Sequence, residues 1–234
     1  MQLRALPHDV TLKSDGSPVS RADLEAHALI CERLRALAPA ITIVSEEQAH
    51  PAAPADGSAF WLIDPIDGTK SFLRGEDEFT VNIACIENGT PTLGVIVVPA
   101  MQQLYGGGTG LGAFRSLSGG AREPIACRPP AKDGALDVIV SHSKARADAA
   151  QLLGASAIKS RTQAASSLKF CRIAEGLFDV YPRFGPTMQW DTAAGQAIVE
   201  AAGGRVVHLQ SGQPLHYGGT DLRNPPFAAW GLRA

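Results

Sequence analysis

The chain has 234 residues, 45% of them hydrophobic and 19% charged, and carries a formal net charge of -2. That is enough apolar material for one large domain or two small ones packed together; it offers no broad basic surface for nucleic acid and no run of like charges that would act as a tail. No apolar stretch approaches the ~18 residues of a membrane span, and Met1 to Pro7 lack the long apolar segment of a signal peptide, so a cytoplasmic protein without an integral membrane segment is expected.

In chain order, Ser20 followed by Asp23 marks a helix start. Ala26, Leu29, Ile30, Leu34 and Leu37 then recur at helical spacing until Pro39. Strands are predicted at Ile41 to Ser45, Phe60 to Ile63, Phe79 to Ile86 and Thr92 to Val98, the last two joined as a hairpin through Asn88-Gly89. The glycine-rich run Gly106 to Phe114 does not fit the GxGxxG spacing and has no convincing helix behind it, so it reads as a second hairpin and not a phosphate loop. A region broken by Gly, Pro and Arg, Gly119 to Lys132, places a soft domain boundary near residue 130, dividing 1-130 from 131-234. Beyond it come a strand at Leu136 to Ser141, helices at Ala145 to Leu153 and Ser167 to Glu175, a strand at Phe178 to Tyr181, a helix at Thr192 to Ala202, and a closing strand and turn from Arg205 to Pro214. Cys31, Cys85, Cys127 and Cys171 lie far apart without CxxC spacing and read as reduced core residues.

The stretch WLIDPIDGTKSF, residues 61 to 72, sets two carboxylates, Asp64 and Asp67, at the end of an apolar run. Buried together they would repel each other and lose solvation unless a cation lay between them. Glu46 ends the preceding strand and Asp191 stands where the helix after Trp190 opens. If the strands ending at Ser45 and Ile63 are neighbours, Glu46, Asp64, Asp67 and Asp191 line one cleft, and an all-oxygen ligand set favours Mg2+ or Mn2+ over zinc. Taken singly, each has an ordinary explanation: a solvated strand end at Glu46, a turn at Asp67-Gly68, a helix cap at Asp191.

DPIDGTKSF, together with WDTAAG and SEE, resembles the lithium-sensitive, magnesium-dependent phosphatases of the inositol monophosphatase superfamily. Lys13 to Asp23, Ser166 to Gly176 and Tyr181 to Gly195 are most similar to the bacterial 3'(2'),5'-bisphosphate nucleotidases within it. The resemblance implies an α/β fold layered as an αβαβα sandwich. It also implies metal ligation by Glu46, Asp64, Asp67, Asp191 and the Ile66 carbonyl, with two or more Mg2+ ions, or Mn2+, in the site. Gly68 and Thr69 match backbone N–H groups that meet the phosphate. The Thr69 hydroxyl, held by Asp23, matches one that orients the attacking water, and Glu46 is a second candidate for its proton. Asp191, Lys169 and Arg183 fall on the substrate side, the two cations suiting a second phosphate; for Lys169 an exposed helix lysine is the alternative. Phe170, Tyr181, Phe184 and Trp190 read as core aromatics.

The implied activity is removal of the 3'-phosphate from adenosine 3',5'-bisphosphate by a water activated by two metal ions. The substrate would be a nucleotide bisphosphate and not nucleic acid. An inositol or sugar phosphate phosphatase, and more remotely a silent phosphate-binding protein, remain open. Two departures stand out: Ala165 replaces a glycine common in the nucleotidases, and a helix of about 30 residues that precedes the Lys-x-Asp segment in the family has no room here. Its docking surface would then be exposed, covered by a second subunit in a homodimer, or left by a shortened chain.

Overall fold

The structure is a computed structural model and describes residues 10–12, 18–49, 52–129, 134–142, 152–153 and 158–232. Met1 to Pro7, Lys13 to Ser17 and the expected helix at Ala145 to Leu153, apart from its last two residues, lie outside the described residues.

Helix α1 (Arg21–Leu37) follows a short antiparallel pair, β1 (Val10–Leu12) and β2 (Pro18–Ser20). It starts where the Ser20/Asp23 spacing predicts: the Asp23 carboxylate accepts the Ser20 N–H at 2.8 Å while the Ser20 hydroxyl accepts the Asp23 N–H at 3.4 Å, a reciprocal capping box.

The larger sheet is built from β3 (Thr42–Ser45), β4 (Phe60–Asp67), β5 (Thr80–Glu87), β6 (Thr90–Val98), β7 (Gln103–Gly108), β8 (Gly112–Leu117) and β9 (Glu123–Ile125), in that spatial order. As expected, β5 and β6 turn at Asn88-Gly89, both with positive φ, and the glycine run forms the β7–β8 hairpin. The smaller sheet takes β10 (Leu136–Val140), β11 (Ile158–Gln163), β12 (Val180–Arg183), β13 (Arg205–His208) and β14 (Phe227–Trp230), ordered β11-β10-β12-β14-β13. Composition and periodicity do not mark β9, β11 or β14.

Alternation along β4 sets the layers. Trp61 and Ile63 pack under Cys31 and Leu34 of α1, whereas Phe60 and Leu62 face the opposite core. That core is filled by α3 (Leu168–Ala174) and α4 (Ala193–Ala201), which the smaller sheet covers in turn through Tyr181, Val206, Phe227 and Ala229. Leu152 and Leu153 pack on the outer side of that sheet, against Val138, Val140 and Trp230. The result is the layered α/β arrangement expected. All four cysteines are free and buried, and no helix among the described residues is long and apolar enough to cross a membrane.

Gly94 on β6 lets α4 lie close on the larger sheet, since a Cβ there would stand 2.3 Å from the Ala194 carbonyl oxygen. Gly94→Ala should therefore push α4 outward and cost about 1–3 kcal/mol, as overpacking does. Thermal unfolding should show Tm lowered by roughly 2–10 °C; an unchanged Tm would mean that α4 has slack at this contact.

Candidate active site

Parallel pairing of β3 with β4, Ser45 opposite Ile63, brings the acidic ends of the two strands together. The Glu46 N–H then donates to the Ile63 carbonyl at 3.2 Å. β4 does not stop at Ile63, as its apolar run suggests, but continues through Asp64 and Pro65 to Asp67. Asp64 pairs with Asn82 and Asp67 with Thr80, leaving one extra residue on β4 between the two pairs. In a regular strand, residues three apart point to opposite faces. The bulge cancels that half-period and turns both aspartates to one side.

Oxygen atoms of Asp64, Asp67 and Asp191 lie within 4.8 Å of one another. Asp191 reaches the group from a 3-10 turn, Gln189–Asp191, one residue before the Thr192 cap of α4, and so does not itself open that helix. Its Oδ2 accepts the Met188 N–H at 2.8 Å. Asp67 Oδ2 accepts three donors: the Ser167 N–H at 2.7 Å, the Ser167 hydroxyl at 2.9 Å and the Thr80 hydroxyl at 3.3 Å. These bonds all use Oδ2 and leave Oδ1 of each residue for another partner. Asp64 is 1% exposed, and its Oδ1 is buried with no hydrogen-bond partner. Burial, followed by the charges of Glu46, Asp67 and Asp191, holds the Asp64 carboxyl well above the ordinary range; burial and then Asp67 do the same for Asp191.

A buried orphan oxygen among crowded carboxylates, with no sulfur or nitrogen ligand in the cluster, fits a hard divalent cation such as magnesium.

Gly68 caps the five-residue helix α2 (Thr69–Leu73) with φ 91°, and a Cβ on it would stand 2.3 Å from Ser166 Oγ, so both conformation and space demand glycine. The Thr69 hydroxyl has two acceptors at 3.2 Å, Asp23 Oδ1 and the Ile66 carbonyl. Asp23 thus joins both roles open to it in the sequence: Oδ2 serves the cap of α1, Oδ1 meets Thr69.

Lys169 is 4% exposed, which rules out an exposed helix lysine. Its ammonium donates to the Ser166 carbonyl at 2.6 Å and to that of Ala164 at 3.3 Å, and sits 5.1 Å from the Tyr181 ring centre. Burial brings its pKa down to about 8, against the opposing pull of Asp67. The Arg183 guanidinium bonds Ser141 Oγ at 2.8 Å and the carbonyls of Gly185 and Pro186 at 3.2 Å each. Both cations line a cleft of about 490 Å3 with Asp67, Gly68 and Asp191. Phe170, Tyr181 and Trp190 are buried in the core and Phe184 is partly exposed.

The sequence reading gave no role to Ser167, whose main-chain and side-chain bonds both reach Asp67, or to Ser166, whose hydroxyl donates to the Asp67 carbonyl at 2.9 Å. Both contacts join residues about 100 positions apart, and local pattern carries no trace of them.

The sequence profile described as the inositol monophosphatase family matches residues 3–229. The chain belongs to the inositol monophosphatase family. It is 43% identical over 226 residues to the 3'(2'),5'-bisphosphate nucleotidase CysQ of Shigella flexneri, covering 94% of this chain and 88% of that one. The crystal structure of CysQ from Bacteroides thetaiotaomicron superposes with a TM-score of 0.81 at 35% identity, over 95% of this chain and 88% of its own. An IMPase/NADP phosphatase solved with Mg2+ and phosphate shares the fold at a TM-score of 0.80 and 20% identity, over 98% of this chain and 84% of that one. The family is magnesium-dependent, in keeping with the acidic cluster.

Without metal, Asp64 and Asp191 bind protons more tightly folded than unfolded. Their contribution to stability is full below the ordinary aspartate value of 3.8 and is lost as pH rises through the raised values. Magnesium takes the deprotonated form, so it should raise Tm more at pH 8 than at pH 5. Equal increments at the two pH values, read by calorimetric melting, would contradict this account.

Proposed function

We propose that the protein is a magnesium-dependent phosphomonoesterase that removes the 3'-phosphate of adenosine 3',5'-bisphosphate to give AMP and phosphate. One observation carries the reading: Asp67 and Asp191 of the acidic cluster open into a cleft that also holds two cations, Lys169 and Arg183. That polarity suits a substrate with one phosphate at a metal site and another anion several ångströms away, and the curated relatives are named for such a bisphosphate.

Glu46, Asp64, Asp67, Asp191 and the Ile66 carbonyl are assigned to hold two or more magnesium ions, with manganese a chemically similar substitute. Bound there, magnesium supplies an activated water and stabilises charge on the leaving oxygen. The first helical bond of α2 runs from the Phe72 N–H to the Gly68 carbonyl at 3.0 Å, so the amides ahead of it, those of Gly68 and Thr69 among them, are assigned to the scissile phosphate. A hydroxyl has one proton. When the Thr69 O–H donates its hydrogen bond to Asp23, its lone pairs are left to accept a hydrogen bond from the attacking water and orient it. Glu46, beside Asp64, is the base that takes the water's proton. In-line displacement then needs no covalent enzyme intermediate. The bonds to Ser141, Gly185 and Pro186 fix the Arg183 plane and still leave N–H groups for the second phosphate, with Lys169 adding charge.

Phosphate release should be most efficient on adenosine 3',5'-bisphosphate when compared with inositol 1-phosphate and fructose 1,6-bisphosphate. Arg183→Ala should lower kcat/KM on the bisphosphate by about tenfold or more, the loss of a charged hydrogen bond of at least ~1.5 kcal/mol, and affect a monophosphate much less. Equal losses on both would remove Arg183 from the second-phosphate site.

Asp23→Asn and Thr69→Ala should each reduce kcat by about 100-fold, with the double variant little worse than either because both break one chain. Asp23→Asn should also cost about 1 kcal/mol of stability through the α1 cap. Rate losses that multiply would separate the two residues.

A further inference from the structure

Asn82 is an amide within an otherwise apolar run, Val81 to Ile86, on a strand paired on both sides. It is 1% exposed and faces the inner core with Ala84 and Ile86. Its Nδ2 donates to Ser167 Oγ at 2.9 Å, while its Oδ1 is buried without a partner. A valine would fit this strand and bury no unpaired acceptor, so fold stability alone does not account for the amide.

The place of Asn82 does. Across the β4–β5 ladder it stands opposite Asp64, whose own Oδ1 is also unpartnered. Through Ser167 it reaches the other two acids of the cluster. Ser167 Oγ lies 2.9 Å from Asp67 Oδ2 and 2.8 Å from the Asp191 carbonyl oxygen. The amide N–H can only donate, so it occupies one lone pair of the hydroxyl and leaves the single proton of Ser167 to face Asp67 and Asp191. Asp67 belongs to β4, Ser167 precedes α3 and Asp191 precedes α4; the hydroxyl is where the three meet.

We propose that Asn82 is a positioning residue of the metal site: its N–H orients the Ser167 hydroxyl and thereby fixes the separation of Asp67 from Asp191. The inference rests on the metal-site assignment above and deepens it by naming a residue with a role through Ser167 and not as a ligand.

The test compares wild type with Asn82→Val, Asn82→Ala, Ser167→Ala and the Asn82→Val/Ser167→Ala double variant, reading the Mg2+ dissociation constant by titration calorimetry and Tm in chelator. Both Asn82 variants should bind Mg2+ about tenfold more weakly, at the lower end of what outer partners of metal ligands command. Their metal-free Tm should stay close to that of wild type, and the double variant should bind no more weakly than Ser167→Ala alone. A lowered metal-free Tm with unchanged Mg2+ affinity, or failure of both Asn82 variants to fold, would make the residue structural and overturn the proposal. Losses that multiply in the double variant would overturn its route through Ser167. Absence of Mg2+ binding by wild type would instead bring down the metal-site assignment itself, and this inference with it.

Discussion

Carboxylates crowded away from water repel one another, and the arrangement of this protein follows from having to hold several of them together. No cation contacts Asp64, Asp67 or Asp191 in an ion pair among the described residues; hydrogen-bond donors hold Asp67 and Asp191 instead. Asp67 takes its donors from Ser167 and Thr80, and Asp191 from the main chain of Met188. Donors placed by the fold fix the direction of these two carboxylates without neutralising them. The charge is left available to a divalent ion, and metal affinity would then draw on the same atoms as folding.

How much of this could be read from the sequence depended on distance along the chain. The hairpins and α1 with its cap rest on local pattern and were legible; that the Ser45 and Ile63 ends meet was a supposition, because it depends on parallel pairing of β3 with β4. That Asp64 and Asp67 lie together was legible from their proximity, but the bulge that turns them to one face was not, because it is set by pairing with Asn82 and Thr80 on another strand. Lys169 shows the limit most clearly. Its place in a helix was predictable; its burial comes from Tyr181 and the chain at Ala164 to Ser166, and helical periodicity does not report these. β11 escaped notice because its side chains are mostly exposed and follow no alternation, and β14, Phe-Ala-Ala-Trp, lacks the β-branched residues that advertise a strand.

The layer between the sheets turns these separate elements into one site. Phe170 of α3, Tyr181 of β12 and Phe227 of β14 contact one another edge-on or stacked, with ring centres 5.3–5.9 Å apart. At the far end of α3 the buried Glu175 carboxylate accepts from Arg115 and Arg172 at 2.7 Å each and from the Tyr105 hydroxyl at 3.1 Å, tying the helix to β7 and β8. With α3 held at both ends, Ser167 and Lys169 keep their relation to Asp67 through rigid packing.

The divided carboxylate of Asp23 makes two regions of the molecule kinetically one. Its Oδ2 closes the first turn of α1 and its Oδ1 meets Thr69, so any fluctuation that frays the helix start also takes away one of the two acceptors of the threonine hydroxyl and leaves it the Ile66 carbonyl. Hydrogen exchange at the first amides of α1 would therefore count the moments at which Thr69 is parted from Asp23, even with no ligand present.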